Sequence, residues 1–457
     1  MDLVDQLAQH DQYRIALFLP RSKKLLTELR NGSPRLPRIN VPRWTRVAEQ
    51  LTNAIRDKWR LRSSIMIDVL PSSQQTPACA VIEVFPDESK PLAEGLIPLP
   101  LADLADSEVT AAEHTIMQKF LTGETTGCGP FSRLGWTEEA QEWIRLSAPR
   151  RAIEFSGDRQ GSSAGGSSAL VRFGTRRPPA YWLKANGTPG ANEYRVSTTL
   201  AQLFPDYLPP LVAAREDWNA WIMEDAGRPL EETFTLPAIE QATHSLAQLQ
   251  IASVDHLDAL LAAGCFDQRM PILRASIPKL IQYLEDAMMR QTSTRVAPIE
   301  SKRLRELGNL LEEACGCMEI LGIPDTLIHN DVNAGNILFD GSRAVFTDWA
   351  EAYIGNPFFT FYHLRAHAVQ ADVSHTWASK IKAIYANHWR CILSASQVAR
   401  ALTLCPPLAI ASYLCGQDTF FELPSRKDLR AQSYARSLAR HMDRAAQAPE
   451  FLEALCN

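Results

Sequence analysis

Leu327-Ile-His-Asn-Asp331-Val-Asn-Ala-Gly-Asn336-Ile-Leu-Phe339, followed by Ala344-Val-Phe-Thr-Asp348-Trp349, is the stretch that decides the fold. Its apolar runs Ile337 to Phe339 and Ala344 to Phe346 read as two short strands around a turn. Asp331 opens a loop after the apolar run that begins at Leu327, and Asn336 ends that loop just before the first strand. The second strand delivers Asp348, so an amide oxygen and a carboxylate are brought from neighbouring hairpin arms toward one place. Phosphoryl transfer asks little covalent work of a protein. It needs a carboxylate to orient and deprotonate a hydroxyl, and oxygen ligands to fix magnesium against a triphosphate. Asp331 meets the first need, and Asn336 and Asp348 supply the hard oxygens magnesium prefers. Asp and Asn also cap turns, but order, spacing and flanking strands all agree with the chemical reading. His329 is expected to pack and hold the loop rather than act as the base.

The pattern His-x-Asp-x-x-x-x-Asn, then hydrophobics and Asp-Trp, resembles the aminoglycoside phosphotransferase and choline kinase family, relatives of the protein kinases. The resemblance implies an α+β, two-lobed protein-kinase-like fold, with a small β-sheet N-lobe and a mainly helical C-lobe. It implies ATP and Mg2+ as cofactors and a small-molecule hydroxyl as acceptor. Lys184, ending the strand Tyr181-Trp-Leu-Lys184, matches the family's phosphate-binding lysine. Glu193, the only acidic residue between Lys184 and Asp206, stands where the family places that lysine's partner. The loop Gly161 to Ser168, with Ser162 and Ser163, falls where kinase-like proteins cover the triphosphate. Trp221 to Leu230 resembles the segment joining the lobes, where the backbone of Glu224 and Ala226 would bond adenine and Gly227 would permit the turn. The sequence departs from the family pattern at Asn330, Asn333, Asn356 and Thr360, none of them a metal ligand or the base. No Walker A motif is present, and no Asp-Phe-Gly and Ala-Pro-Glu pair brackets an activation segment, which disfavours a protein kinase.

Bulk properties exclude several classes. With 46% hydrophobic and 22% charged residues over 457 positions the chain is globular. A net charge of -5 leaves no basic footprint for nucleic acid. The nine cysteines are scattered, without the spacing of a zinc site or a redox dithiol. Together with the absence of a signal peptide ahead of Met-Asp-Leu-Val-Asp, this leads us to expect a cytoplasmic protein. The longest uncharged run, Ala401 to Gln417, holds Pro406 and Pro407 and falls short of a membrane span. It is expected to be a core helix broken by proline, with no membrane contact.

Three segments are expected: an α/β accessory domain over 1–145, a kinase-like N-lobe over 146–226 and a helical C-lobe over 227–457. In the first, strands are expected at Tyr13 to Phe18, Ile65 to Leu70 and Ala78 to Phe85, with helices at Trp44 to Trp59, Ser107 to Leu121 and Thr137 to Leu146. Lys90 to Leu101 reads as a linker. The layout faintly resembles a Nudix hydrolase, but the helix lacks the glutamate cluster that binds metal there, which leaves a sensing, docking or dimerising role. In the N-lobe, strands are expected at Ala152 to Phe155, Ala169 to Phe173, Ala180 to Ala185 and Trp218 to Met223, with a helix at Asn192 to Phe204. Two other functions stay open: a nucleotide-binding pseudokinase acting as a regulatory module, and a nucleotidyl-transferring enzyme on the same fold.

Overall fold

The computed structural model describes residues 10–43, 45–61, 63–71, 77–85, 92, 95–124, 127–149, 152–160, 166–188, 190–372, 374–416 and 428–456. By their contacts they divide into two compact units, Met1–Tyr194 with Pro210–Asp225 and Arg195–Pro209 with Ala226–Asn457.

The first unit opens with β1 (His10–Leu19), β2 (Lys24–Arg30), β3 (Ser33–Arg35), β4 (Arg38–Pro42), α1 (Val47–Trp59), β5 (Ser63–Leu70), β6 (Cys79–Phe85) and β7 (Leu96–Leu99). The strands form one sheet in the order β3-β2-β1-β6-β5, with β4 beside β1 and β7 beside β2. β1 and β6 run parallel, so the sheet is mixed. Successive side chains of a strand face opposite ways. Ile15 and Leu17 therefore pack with Leu51 and Ile55 of α1. Ala16 and Phe18 meet Met117 and Phe120 of α2 (Ala111–Thr122) on the other face. Burial on both faces is why β1 reads as a continuous apolar run rather than an alternating one. β7 corrects the expectation of a bare linker over 90–101: its apolar residues are a strand paired with β2.

Helix α2 starts at Ala111 rather than near Ser107, and the reason is local. Thr110 accepts a bond from the Glu113 amide, and the Glu113 carboxylate accepts one from the Thr110 amide at 2.8 Å, a reciprocal cap. The next helix, α3 (Trp136–Ser147), follows Gly135 and carries no capping side chain of its own. Its cap comes from the sheet. Glu83 of β6 accepts from the Gly135 amide and, at 2.5 Å, from the Thr137 hydroxyl. Burial pushes the Glu83 carboxyl up to about 7, against the pull of those donors.

A second sheet in the same unit comprises β8 (Phe155–Gln160), β9 (Ala169–Thr175), β10 (Tyr181–Ala185), β11 (Leu211–Arg215) and β12 (Ala220–Glu224), in the order β11-β12-β10-β9-β8. Every neighbouring pair is antiparallel. The first strand begins at Phe155, where the sequence led us to expect it to end. Trp136, Ala140 and Ile144 of α3 pack on Val171, Phe173, Leu183 and Ile222. Helix α4 (Glu193–Leu203) follows β10 and crosses from the first unit to the second after Tyr194.

The second unit is mainly helical, and its core takes in Val196 and Leu200 of α4. After β13 (Arg228–Pro229) come α5 (Leu236–Ser253), α6 (Leu257–Ala263), β14 (Phe266–Asp267), α7 (Met270–Met289) and α8 (Ser301–Ile320). Four short strands follow: β15 (Thr326–Ile328), β16 (Ile337–Phe339), β17 (Ala344–Phe346) and β18 (Tyr353–Gly355). The chain ends in α9 (Pro357–Ala371), α10 (Thr376–Trp389), α11 (Ala395–Cys415), α12 (Leu429–Ala446) and α13 (Pro449–Cys456). An antiparallel sheet followed by a helical unit is the element order of the α+β protein-kinase-like fold.

Helix α11 is not broken by its prolines, contrary to expectation. It runs through Pro406 and Pro407 without interruption. Proline removes a helical hydrogen bond at a cost of about 3 kcal/mol, and dense packing offsets it here: Leu404, Leu408, Ala409 and Ala411 are fully buried. By length and composition this helix could cross a membrane, although 67% of its apolar window is buried inside the protein.

Candidate active site

The catalytic-loop hairpin forms as its sequence suggests. β16 and β17 pair antiparallel, with Ile337 opposite Phe346 and Phe339 opposite Ala344. The pairing continues one step beyond the strands, where the Thr347 amide bonds the Asn336 carbonyl at 2.9 Å. Asn336 thus stands opposite Thr347 at the open end of the hairpin, and Asp348 follows one residue further on. Asp348 sits at φ 68, in the left-handed region, and this turns the chain out of β17 at the carboxylate. Asp is among the few residues besides glycine that tolerate it.

Asp331 lies at the start of the same loop, and both its carboxylate oxygens are engaged. Asn336 Nδ2 donates to Asp331 Oδ2 at 3.0 Å and to the Asp331 carbonyl at 2.9 Å. Asn333 Nδ2 donates to Asp331 Oδ1 at 3.0 Å. The Asn336 nitrogen is committed to Asp331, so Oδ1 is the atom a cation would use. His329 is buried, and its Nε2 lies 2.8 Å from the Thr347 carbonyl, tying the catalytic loop to the strand that delivers Asp348. Its ring packs 4.5 Å from that of Trp349. His329 thus has the packing position anticipated for it.

Neighbours on the later helices escaped the sequence reading, whereas Asn330 was noted as a departure from the family pattern. Asn330 donates to Glu351 Oε2 at 3.0 Å, which fixes an exposed carboxylate two residues beyond Trp349. His367 of α9 is pushed down by burial, while the Val332 backbone and the negative charge of Asp331 pull it back up. Tyr413 of α11 is pushed up, first by burial, then by Tyr434, Glu351 and Asp331. These groups come from helices 36 to 103 residues after the catalytic loop, counting from Asp331 to His367 and to Tyr434. No local pattern could have announced them.

Upstream, Lys184 of β10 and Glu193 of α4 are brought together. Lys184 Nζ lies 2.6 Å from Glu193 Oε1, with both side chains buried. Asn186 also donates to the other Glu193 oxygen, and the Lys184 ammonium lies 5.9 Å from the Trp221 ring centre. Of the expected adenine contacts, Glu224 has its amide bonded to the Pro210 carbonyl at 2.9 Å, which leaves only its carbonyl for a ligand. The next residue, Asp225, is held by Arg172 at 2.6 Å. Ala226 opens the second unit. Gly227 then turns at φ 120, where a Cβ would lie 2.5 Å from the Phe339 carbonyl oxygen. Ser162 and Ser163 lie outside the described residues. Among the described residues no group of three or more His, Cys, Asp or Glu could hold a metal ion. Asn336 and Asp348 would supply two protein ligands, and magnesium commonly completes its shell with water and phosphate.

Solved structures similar to this chain include a choline/ethanolamine kinase family protein from Mesorhizobium loti, at 13% identity and a TM-score of 0.44, covering 70% of this chain and 98% of its own. An ethanolamine kinase from Plasmodium vivax has 13% identity and a TM-score of 0.45, covering 78% of this chain and 98% of its own. An aminoglycoside phosphotransferase from Alicyclobacillus acidocaldarius has 14% identity and a TM-score of 0.41, covering 63% and 89%. No curated protein matches the chain. Residues 278–393 match the model of the phosphotransferase enzyme family. That segment carries the loop from Asp331 to Asn336, the hairpin and helices α9 and α10, and over it the chain is similar to the phosphotransferase enzyme family, as the pattern from His329 to Trp349 implied.

Proposed function

We propose that this protein is an ATP- and magnesium-dependent phosphotransferase that moves the γ-phosphate to a hydroxyl of a small molecule. The observation that carries the reading is the Asp331 carboxylate, held by two amides at the open end of the hairpin that presents Asn336 and Asp348. Asp331 is the general base. It accepts the proton of the attacking hydroxyl and aligns that oxygen. Asn336 Oδ1 and the Asp348 carboxylate fit a hard divalent cation, and they are the residues that would hold magnesium. When bound, the metal supplies charge neutralisation to the phosphates. Lys184, oriented by Glu193, binds phosphate oxygens. Ser162 and Ser163 are assigned to the phosphates on the family resemblance alone, and the Glu224 carbonyl and Ala226 amide bond adenine.

A screen of ATP consumption against hydroxyl-bearing metabolites and aminoglycosides, with Asp331→Ala as control, tests the reading. General-base catalysis contributes about 10²- to 10⁴-fold, so Asp331→Ala is expected to lose that much kcat while still binding the nucleotide. Asp348→Ala is expected instead to weaken magnesium-dependent ATP binding in calorimetry. Full turnover by the first variant, or unchanged metal-nucleotide affinity in the second, removes the respective assignment.

A further inference from the structure

We infer that Asn333 is a positioning residue that holds the Asp331 carboxylate in its working orientation through a hydrogen bond from its side-chain amide. The inference rests on the reading of Asp331 as the base. Asn333 is one of the positions where this sequence leaves the family pattern, and its geometry shows a dedicated contact. Its Nδ2 lies 3.0 Å from Asp331 Oδ1. The rest of Asn333 is fully occupied. Its Oδ1 accepts from the Gly335 amide at 2.8 Å, its own amide donates to the Asp331 carbonyl at 2.8 Å, and its carbonyl accepts from the Asn336 amide at 3.0 Å.

The two ends of a carboxamide are rigidly related. Anchoring Oδ1 on the backbone therefore aims the N–H₂ at Asp331 and fixes which way it points. The space behind is also closed: a Cβ on Gly335 would lie 3.0 Å from Asn333 Oδ1 and 3.4 Å from Glu231 Oε1. Asn336 also bonds the carboxylate, but the proposed function gives it a cation to hold. Asn333 has no second task. Loss of this donor frees the carboxylate to rotate away from the orientation in which it meets the acceptor hydroxyl.

The test is the rate of MgATP hydrolysis, with water as acceptor, by the full chain at pH 8, with thermal melting as a check on the fold. Asn333→Ala is expected to lower kcat tenfold or more and leave KM for MgATP within twofold. Asn333→Asp keeps an oxygen for the Gly335 amide but replaces the donor with a like charge. It is expected to melt as the native protein does and still lose tenfold or more at pH 8. Native turnover in Asn333→Asp at pH 8, or an Asn333→Ala deficit that lies in KM for MgATP rather than in kcat, overturns the inference. An active Asp331→Ala protein removes the base reading itself, whereas an inactive one beside a fully active Asn333→Ala protein removes only the role of Asn333.

Discussion

The pair Lys184 and Glu193 shows what one residue can cost. Glu193 is wholly buried, accepts from both Lys184 and Asn186, and begins helix α4. An acidic group in a first helical turn also gains from the helix dipole. Removing one member of a buried ion pair leaves its partner's charge desolvated and unmatched, typically at about 3–5 kcal/mol. Glu193→Ala is therefore expected to lower unfolding stability by about 3 kcal/mol, measured by denaturant titration. A surface pair such as Arg176 with Glu154, whose side chains are 70% and 67% exposed, is expected to contribute no more than ~1 kcal/mol. The sequence made Glu193 legible because no other acid lies near it in the chain. Asn333 was visible only as a departure from a pattern, since its contact depends on a loop turn of five residues closing back on Asp331.

At the scale of elements, α3 depends on a cap it does not encode. Glu83 reaches the helix start from β6, more than fifty residues earlier in the chain. Its folded-state carboxyl lies near 7, raised from 4.5. The native state therefore keeps this proton up to about pH 7, whereas the unfolded chain releases it near 4.5. Between those values the native state binds more protons, so the Glu83 contribution to stability is present below pH 4.5 and fades as pH rises toward 7. The full swing is about 3 kcal/mol. Denaturation of the native protein and of Glu83→Gln at pH 4.5 and pH 8 is expected to differ in pH response by roughly that amount, with the variant flatter. Strands β16 and β17 were legible because their pairing is local. β7 was not, because Leu96 to Leu99 becomes a strand only through β2, and the prolines of α11 misled because packing, not propensity, decides that helix.

Across the whole molecule, burial sorts the nine free cysteines. Cys79, Cys265 and Cys315 are buried and pushed up to about 12, and burial raises Cys405 and Cys415 further. Cys128, Cys391 and Cys456 are exposed. A thiol reagent at pH 8 is expected to modify these three quickly, Cys317 more slowly and the five buried ones only after denaturant is added, as counted by intact mass. The general reading of cysteine as a small buried hydrophobe thus holds for five of nine, and no local pattern separates the groups. The mainly helical character of the chain after Gly227 was legible in the sequence. The attachment of α3 to the second sheet was not, because the apolar face of a helix does not say which surface will cover it.

Gly227 carries a consequence for any survey of tolerated substitutions. Its backbone passes so close to Phe339 that even a methyl group would collide with main-chain atoms, which cannot swing aside as a side-chain tip can. The obstructed strand, β16, is the one that begins beside Asn336. In a saturation library selected for activity, position 227 is thus expected to return glycine almost alone and to score like a reacting residue. It would do so by keeping the register of β13 and β16 intact, a steric veto relayed along one strand.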